Sequence, residues 1–274
     1  MGTNLHHAFE LKGIKTELIH ARPLTNPTGE AGLTAAGGLS ATRSYREAVR
    51  LPLADIYIYA IADQALREVV SVIHAPKALH LHTSGTMPID MFGEDKPHAG
   101  ILYFFQSFSR EVMIDDWSGI PCFISGRNID DIAAIYSLAQ TLTSRIYEAD
   151  QHDRERLHIA GVFANNYTNL MYRIAADILK DTQIPFEALL PLIDNTAAKV
   201  HKMAPADAQT GPAQRGDDAV MKHQIEVLKA AKPHPASPQG GDVFSAEEMS
   251  EVYRVLGALI AKKHNHPNPP TGQL

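Results

Sequence analysis

The chain has 274 residues, 45% hydrophobic and 20% charged, the proportions of an ordinary globular protein long enough for two modest domains. A net charge of −6 without any run of Lys or Arg argues against a nucleic-acid partner, and no apolar stretch reaches the ~20 residues that span a bilayer. Cys122 is the single cysteine, so no internal disulfide forms; with no basic segment and apolar run at the N-terminus, a cytoplasmic location is expected.

The first half alternates short β-type runs with helical stretches. Residues 14–21 and, more strongly, 54–61 read as strands, followed by 77–81 and 122–125. Runs that are apolar on both faces and joined by helices predict a mostly parallel sheet covered on both sides. Residues 64–74 form one such connection, with Ala65, Leu66, Val69, Val70 and Ile73 on one helical face. Residues 128–142 form another. Beyond about residue 145 the pattern turns helical throughout. One long helix is expected over 150–180, then shorter ones over 186–201 and 217–229, and a last one opened by the capping box Ser245-Ala246-Glu247-Glu248. Residues 233–242 read as a loop and 264–274 as a polar, disordered tail. The expected architecture is a Rossmann-like α/β domain over 1–145 and an all-α substrate and dimerisation domain over 146–263.

Four segments carry a resemblance. They are His82-Thr83-Ser84-Gly85-Thr86; Ala99-Gly100-Ile101-Leu102-Tyr103 with Gln106-Ser107-Phe108-Ser109; Gly161-Val162-Phe163-Ala164-Asn165-Asn166-Tyr167; and Gln209-Thr210-Gly211-Pro212-Ala213-Gln214-Arg215-Gly216-Asp217. Together they resemble the Rossmann-like NADP oxidoreductases that carry a C-terminal helical domain of unknown function, over nearly the whole chain. More distantly, the layout is similar to pyrroline-5-carboxylate reductase and the β-hydroxyacid dehydrogenases, in which a helical domain completes the site and forms a dimer. The resemblance implies an NADP cofactor, a small-molecule substrate and a homodimer.

A Rossmann domain opens with a strand running into G-x-G-x-x-G, and the helix that follows holds the pyrophosphate. Met1-Gly2-Thr3-Asn4-Leu5 matches only the end of that loop, with Gly2 as the third glycine and Thr3 in the helix. The first strand and the first two glycines do not appear before Gly2; a longer chain extending upstream by such a strand is expected, the alternative being a variant with an incomplete phosphate loop.

Several residues are candidates for chemistry. Arg22 follows the second strand of the family layout, where no acid stands to bind a ribose hydroxyl, and its guanidinium suits a 2′-phosphate; the bland alternative is a surface arginine. Ala60, Ile61 and Ala62 end the strongest strand, small enough for backbone to approach a cofactor, or simply a turn. His82 is a candidate proton-transfer residue because imidazole titrates near neutrality. Ser84 and the Gly85 amide would then hold a carboxylate or carboxamide; alternatively His82 only braces the loop. His80 and His82 share a strand face, but no acid or cysteine completes a metal set.

Asn165 and Asn169, one turn apart, are candidate substrate ligands or helix-contact residues. In the β-hydroxyacid dehydrogenases such a helix presents a catalytic lysine four residues before an asparagine; here that position is Gly161, which weakens the case for the same reaction. Gln209, Thr210 and Arg215 flank a rigid Gly-Pro turn and could clamp an anion over a cleft between domains. Arg215 pairing with Asp217 to brace that loop is the alternative. Two functions remain open: an NADP-dependent oxidoreductase acting on a small carbonyl, imine or alcohol, and a non-catalytic dimeric protein that binds and senses a nucleotide or metabolite.

Overall fold

A computed structural model describes residues 1–20, 43–44, 53–109, 112–180, 182–230 and 244–264. The expected strand at 14–21 appears only as Ile19–His20, and Arg22, the 233–242 loop and the tail from residue 265 lie outside the described residues. The chain divides into two compact units, Met1–Asn165 and Asn166–Leu274.

The first unit opens with α1 (Gly2–Leu11), which buries Leu5, Ala8 and Phe9. It stops before Gly13, whose φ of 74° is a left-handed conformation natural to glycine. Strands β1 (Ile19–His20) and β2 (Arg43–Ser44) pair in parallel. A five-stranded sheet follows in the order β3 (Ile56–Tyr59), β4 (Leu79–His82), β5 (Ala99–Phe104), β6 (Cys122–Gly126), β7 (Ile146–Glu148). Strands β3, β4 and β5 are mutually parallel, β6 runs antiparallel to β5, and β7 parallel to β6. Among the described residues no strand joins the β1–β2 ladder to this sheet.

Helices cover both faces, as unbroken apolar strands require. On one face α1 and α3 (Ile129–Gln140) pack Leu5, Phe9, Ile135 and Ala139 against Leu81, Leu102, Phe104 and Ile124. On the other, α2 (Asp63–Ser71) and a 3-10 turn at Ile89–Phe92 place Leu66, Val69, Val70 and Phe92 against Tyr59 and Ala99. Each such side chain, fully buried, contributes about 1.5–3 kcal/mol. Gly100 is needed at the β5–β6 crossing, because a Cβ there would stand 2.5 Å from the Ser125 carbonyl oxygen. Asn128 caps α3 by accepting from the Asp131 amide at 2.9 Å.

Strands β5 and β7 carry no strand signal in the sequence. β5 is buried at all six positions and therefore shows no alternation, while β7 has three residues, too few for a period to register. The stretch expected as one long helix is α4 (Gln151–Gly161), a six-residue π-helical segment at Val162–Tyr167, and α5 (Thr168–Leu179). Asp150 caps its start, accepting from the Asp153 amide at 2.9 Å.

The second unit contains α5, α6 (Leu190–Val200), α7 (Pro212–Arg215), α8 (Asp218–Ala230) and α9 (Ala246–His264). The capping box is formed on both sides: the Glu248 amide donates to Ser245 Oγ at 3.1 Å, and the Ser245 amide donates to Glu248 Oε2 at 2.8 Å. Gly257 of α9 lets the Met221 side chain of α8 close to 2.6 Å from where a Cβ would be. No described helix is long and apolar enough to cross a membrane.

Candidate active site

In a doubly wound fold ligands collect outside the carboxyl ends of the parallel strands. Three such ends lie side by side in the first unit: Tyr59–Ala60 of β3, His82 of β4 and Phe104 of β5. At this edge Gly2, at the N-terminus of α1, approaches Ala60: a Cβ on Gly2 would stand 3.5 Å from the Ala60 Cβ. Two residues expected to hold the cofactor are thereby brought together. The N-terminus of α1 has no side-chain cap and no acid in its first turn, which leaves Thr3 and its neighbours with amides available to an anion.

The β3 and β4 ends are tied through Asp63. Its Oδ2 accepts from Ser84 Oγ at 3.0 Å and from Thr86 Oγ1 at 2.7 Å. Ser84 Oγ also accepts from the Thr86 and Met87 amides, both at 3.1 Å. The Ser84 hydroxyl is thus the hub of the loop. Asp63 directly follows the Ala60-Ile61-Ala62 segment, so one carboxylate fixes the expected cofactor strand end to the expected reaction loop.

His82 has no exposed surface and stacks on Phe92 at 5.6 Å. Its Nδ1 accepts from the Ser84 amide at 3.2 Å, which places the proton of the neutral ring on Nε2. Among the described residues no acceptor meets that Nε2 with hydrogen-bond geometry. Burial lowers the His82 pKa to about 4, the Arg154 charge pushing the same way; the Pro88 carbonyl and Asp63 oppose more weakly. His82 is a neutral ring at pH 7. His80 beside it is fully engaged, with Nδ1 bonded to the Tyr59 hydroxyl at 2.8 Å and Nε2 to the Ala75 carbonyl at 2.9 Å. Among the described residues no three His, Cys, Asp or Glu side chains are grouped to hold a metal.

Helix α4 meets the His82 face of the sheet through a few side chains, Arg154 and His158 among them. His82, Ile101 and Ser125 form one cross-strand row, and Arg154 meets it: its Nη1 donates to Ser125 Oγ and to the Ala149 carbonyl, each at 3.0 Å. Its Nη2 reaches the Met87 carbonyl at 3.4 Å, and Nε has no partner. Arg154 is 2% exposed, among the described residues it bonds to no carboxylate, and burial lowers its pKa. One turn on, His158 Nδ1 lies 3.2 Å from the Tyr103 hydroxyl. Tyr103 in turn covers Gly85, where a Cβ would stand 2.9 Å from the hydroxyl oxygen. Arg154 and His158 sit in a stretch of polar helix that reads as solvated surface, so no pattern in the sequence set them apart.

Of the expected substrate residues, Gly85 belongs to this cluster. Asn165 and Asn169 are both exposed. In the second unit Gln209 Nε2 donates to the Thr210 carbonyl at 3.1 Å, and Arg215 is exposed at the end of α7. Gly211 (φ 108°) and Gly216 (φ 69°) bracket that short helix. Asp217 accepts from the Val220 amide at 3.4 Å, at the start of α8.

The layered sheet, the ligand edge of its parallel strands and the helical C-terminal region define the chain as a Rossmann-like oxidoreductase fold. It belongs to the family of the domain of unknown function DUF2520, whose pattern matches residues 120–260. The chain is 33% identical to a "putative NADP oxidoreductase" of Bacteroides fragilis, with a TM-score of 0.78 over 95% of this chain and 93% of the other. A protein of Thermotoga maritima shares the fold at 15% identity and TM-score 0.63, over 82% of this chain and 83% of that one. So does an imine reductase of Myxococcus stipitatus solved with NADP+, at 16% identity and TM-score 0.55, over 97% and 96%. No curated protein matches the chain.

Proposed function

We propose that this chain is a cytoplasmic, homodimeric NADP-dependent oxidoreductase acting on a small carbonyl, imine or alcohol. The observation that carries the reading is the closely built strand edge, where Gly2 meets Ala60 and Asp63 clamps the neighbouring loop. The Bacteroides fragilis relative carries an NADP oxidoreductase name, and the imine reductase that shares the fold was solved with NADP+.

The residues present fit such a cofactor. The uncapped α1 N-terminus at Gly2 and Thr3 would face its phosphates, Ala60, Ile61 and Ala62 would let it lie against backbone, and Arg22 would select a 2′-phosphate. When bound, the nicotinamide supplies or accepts hydride. The chain's own residues shape the place where that happens. His82 offers a neutral ring, Ser84 holds the loop, and Gly85 lets the Tyr103 hydroxyl close onto that loop. Asn165, Asn169, Gln209, Thr210 and Arg215 are proposed to bind the substrate. Dimerisation through the second unit is proposed from the exposed apolar residues Val255, Leu256 and Leu259 on α9.

One observation favours the sensor reading: Gly161 occupies the position of the dehydrogenase lysine, and Phe105 fills the space beside it. The full chain should therefore be assayed for NADPH binding and for NADPH consumption with small ketones, aldehydes and cyclic imines. Consumption with any probe is the expected result. Binding without consumption by any probe selects the sensor, and absence of NADPH binding overturns the oxidoreductase reading.

A further inference from the structure

We infer that Tyr103 and His158 form a proton-delivery pair, in which the Tyr103 hydroxyl protonates a ligand seated beside Gly85 and His158 restores that proton from solvent. The inference rests on the oxidoreductase reading and adds a proton source, which neither His82 nor Ser84 provides. His82 is neutral at pH 7 and shut off from solvent. The Ser84 hydroxyl already donates to Asp63.

Three observations place the pair. Ile101 pairs with His82 across β4 and β5, so Tyr103, two residues further on the same face, stands at the level of Ser84 on the ligand edge. Gly85 lets the hydroxyl in: any side chain there would meet the Tyr103 ring, 2.7 Å from a Cβ at its Cζ. The phenol is 8% exposed and its ring is packed by Phe105 and Phe123, whereas His158 is exposed. A buried donor is thereby linked through one 3.2 Å contact to a side chain in water. The charged and titratable groups around the phenol are Asp63 and His158. Burial, with Asp63 adding, raises the Tyr103 pKa, so the hydroxyl keeps its proton until a ligand atom takes it.

In the reducing direction the substrate carbon gains a hydride, one proton with two electrons, from reduced nicotinamide dinucleotide, which is thereby oxidised. The double bond to oxygen or nitrogen opens, and that atom takes the proton of the Tyr103 hydroxyl. The phenolate takes the Nδ1 proton of His158 as the exposed His158 ring takes a proton from solvent at Nε2, so His158 ends with the proton count it began with. Oxidation of an alcohol or amine runs the same transfers backwards.

The test uses the full chain with 15N-labelled histidine and the variants Tyr103→Phe and His158→Gln. Without any ligand, ring 15N shifts of the wild type should show His158 held in one hydrogen-bonded tautomer, and Tyr103→Phe should release it to a mixture. Unchanged His158 shifts in Tyr103→Phe mean that the pair does not exist in solution and overturn the inference. With NADPH and whichever carbonyl or imine probe the wild type reduces, Tyr103→Phe should slow a single turnover about a hundred- to ten-thousandfold at unchanged NADPH affinity. His158→Gln should alter the pH profile and slow repeated turnovers more than the first. A Tyr103→Phe single turnover at the wild-type rate overturns proton delivery. A wild type that binds NADPH and reduces no probe overturns the oxidoreductase reading and delivery with it, while the ring spectra separately show whether the pair forms.

Discussion

Gly161 of α4 and Phe105, just past β5, are in direct register: a Cβ on Gly161 would stand 2.6 Å from the Phe105 Cζ. The phenyl ring occupies the space that a side chain at this position would need. Gly161→Lys, which restores the residue type of the β-hydroxyacid dehydrogenases, should therefore lower stability by about 1–3 kcal/mol through overpacking. The companion variant Phe105→Ala should relieve much of that cost. Chemical denaturation of the two single variants and the double variant checks this, and additive effects would show that the two sites do not touch.

The neutrality of His82 has a pH consequence of definite sign. Its pKa falls from the ordinary 6.5 to about 4 in the folded chain, so below pH 6.5 the unfolded chain binds the proton first. Stability should drop as pH falls from about 6.5 to 4, by at most about 3 kcal/mol from this residue. His82→Gln should flatten that part of the profile. Denaturation midpoints of wild type and variant at pH 7 and pH 4.5 measure the difference; parallel losses would refute the buried neutral ring.

The Asp63 clamp predicts coupling between two strand ends. Ser84→Ala removes one bond to Asp63 and leaves the Thr86 and Met87 amides without their acceptor, a loss of about 1–3 kcal/mol. Asp63→Ala should cost about 1 kcal/mol, less because the carboxylate is exposed. The double variant should cost clearly less than the sum.

Arg22→Ala should weaken NADP binding about ten- to a hundredfold and leave NAD binding nearly unchanged, the loss of one charge-assisted contact. Calorimetric titration with each dinucleotide decides it. Equal weakening of both would show that Arg22 supports the fold instead of reading the phosphate.

If α9 carries the dimer contact, Leu256→Glu combined with Leu259→Glu should convert a dimer to a monomer in sedimentation at micromolar concentration, with helix content preserved. A wild type that sediments as a monomer independently of concentration removes the proposed interface.

The sequence alone determined the elements whose signal is local. The apolar run around Ile56–Tyr59, the amphipathic α2 and the Ser245–Glu248 capping box depend on neighbours within one turn or one strand, and each stands in the structure. The parallel sheet and helical C-terminal region were equally legible, from continuous apolar strands and a change of period. Tertiary structure decided the rest. Arg154 and His158 look like ordinary surface charges on a polar helix until the fold brings them to Ser125 and Tyr103. Imidazole chemistry alone made His82 a proton carrier; only burial and the Arg154 charge, both set by distant residues, made it a neutral ring. Patterns along a chain record which faces avoid water, but a pKa or a partner across some fifty residues, as between Tyr103 and His158, is fixed by which faces meet.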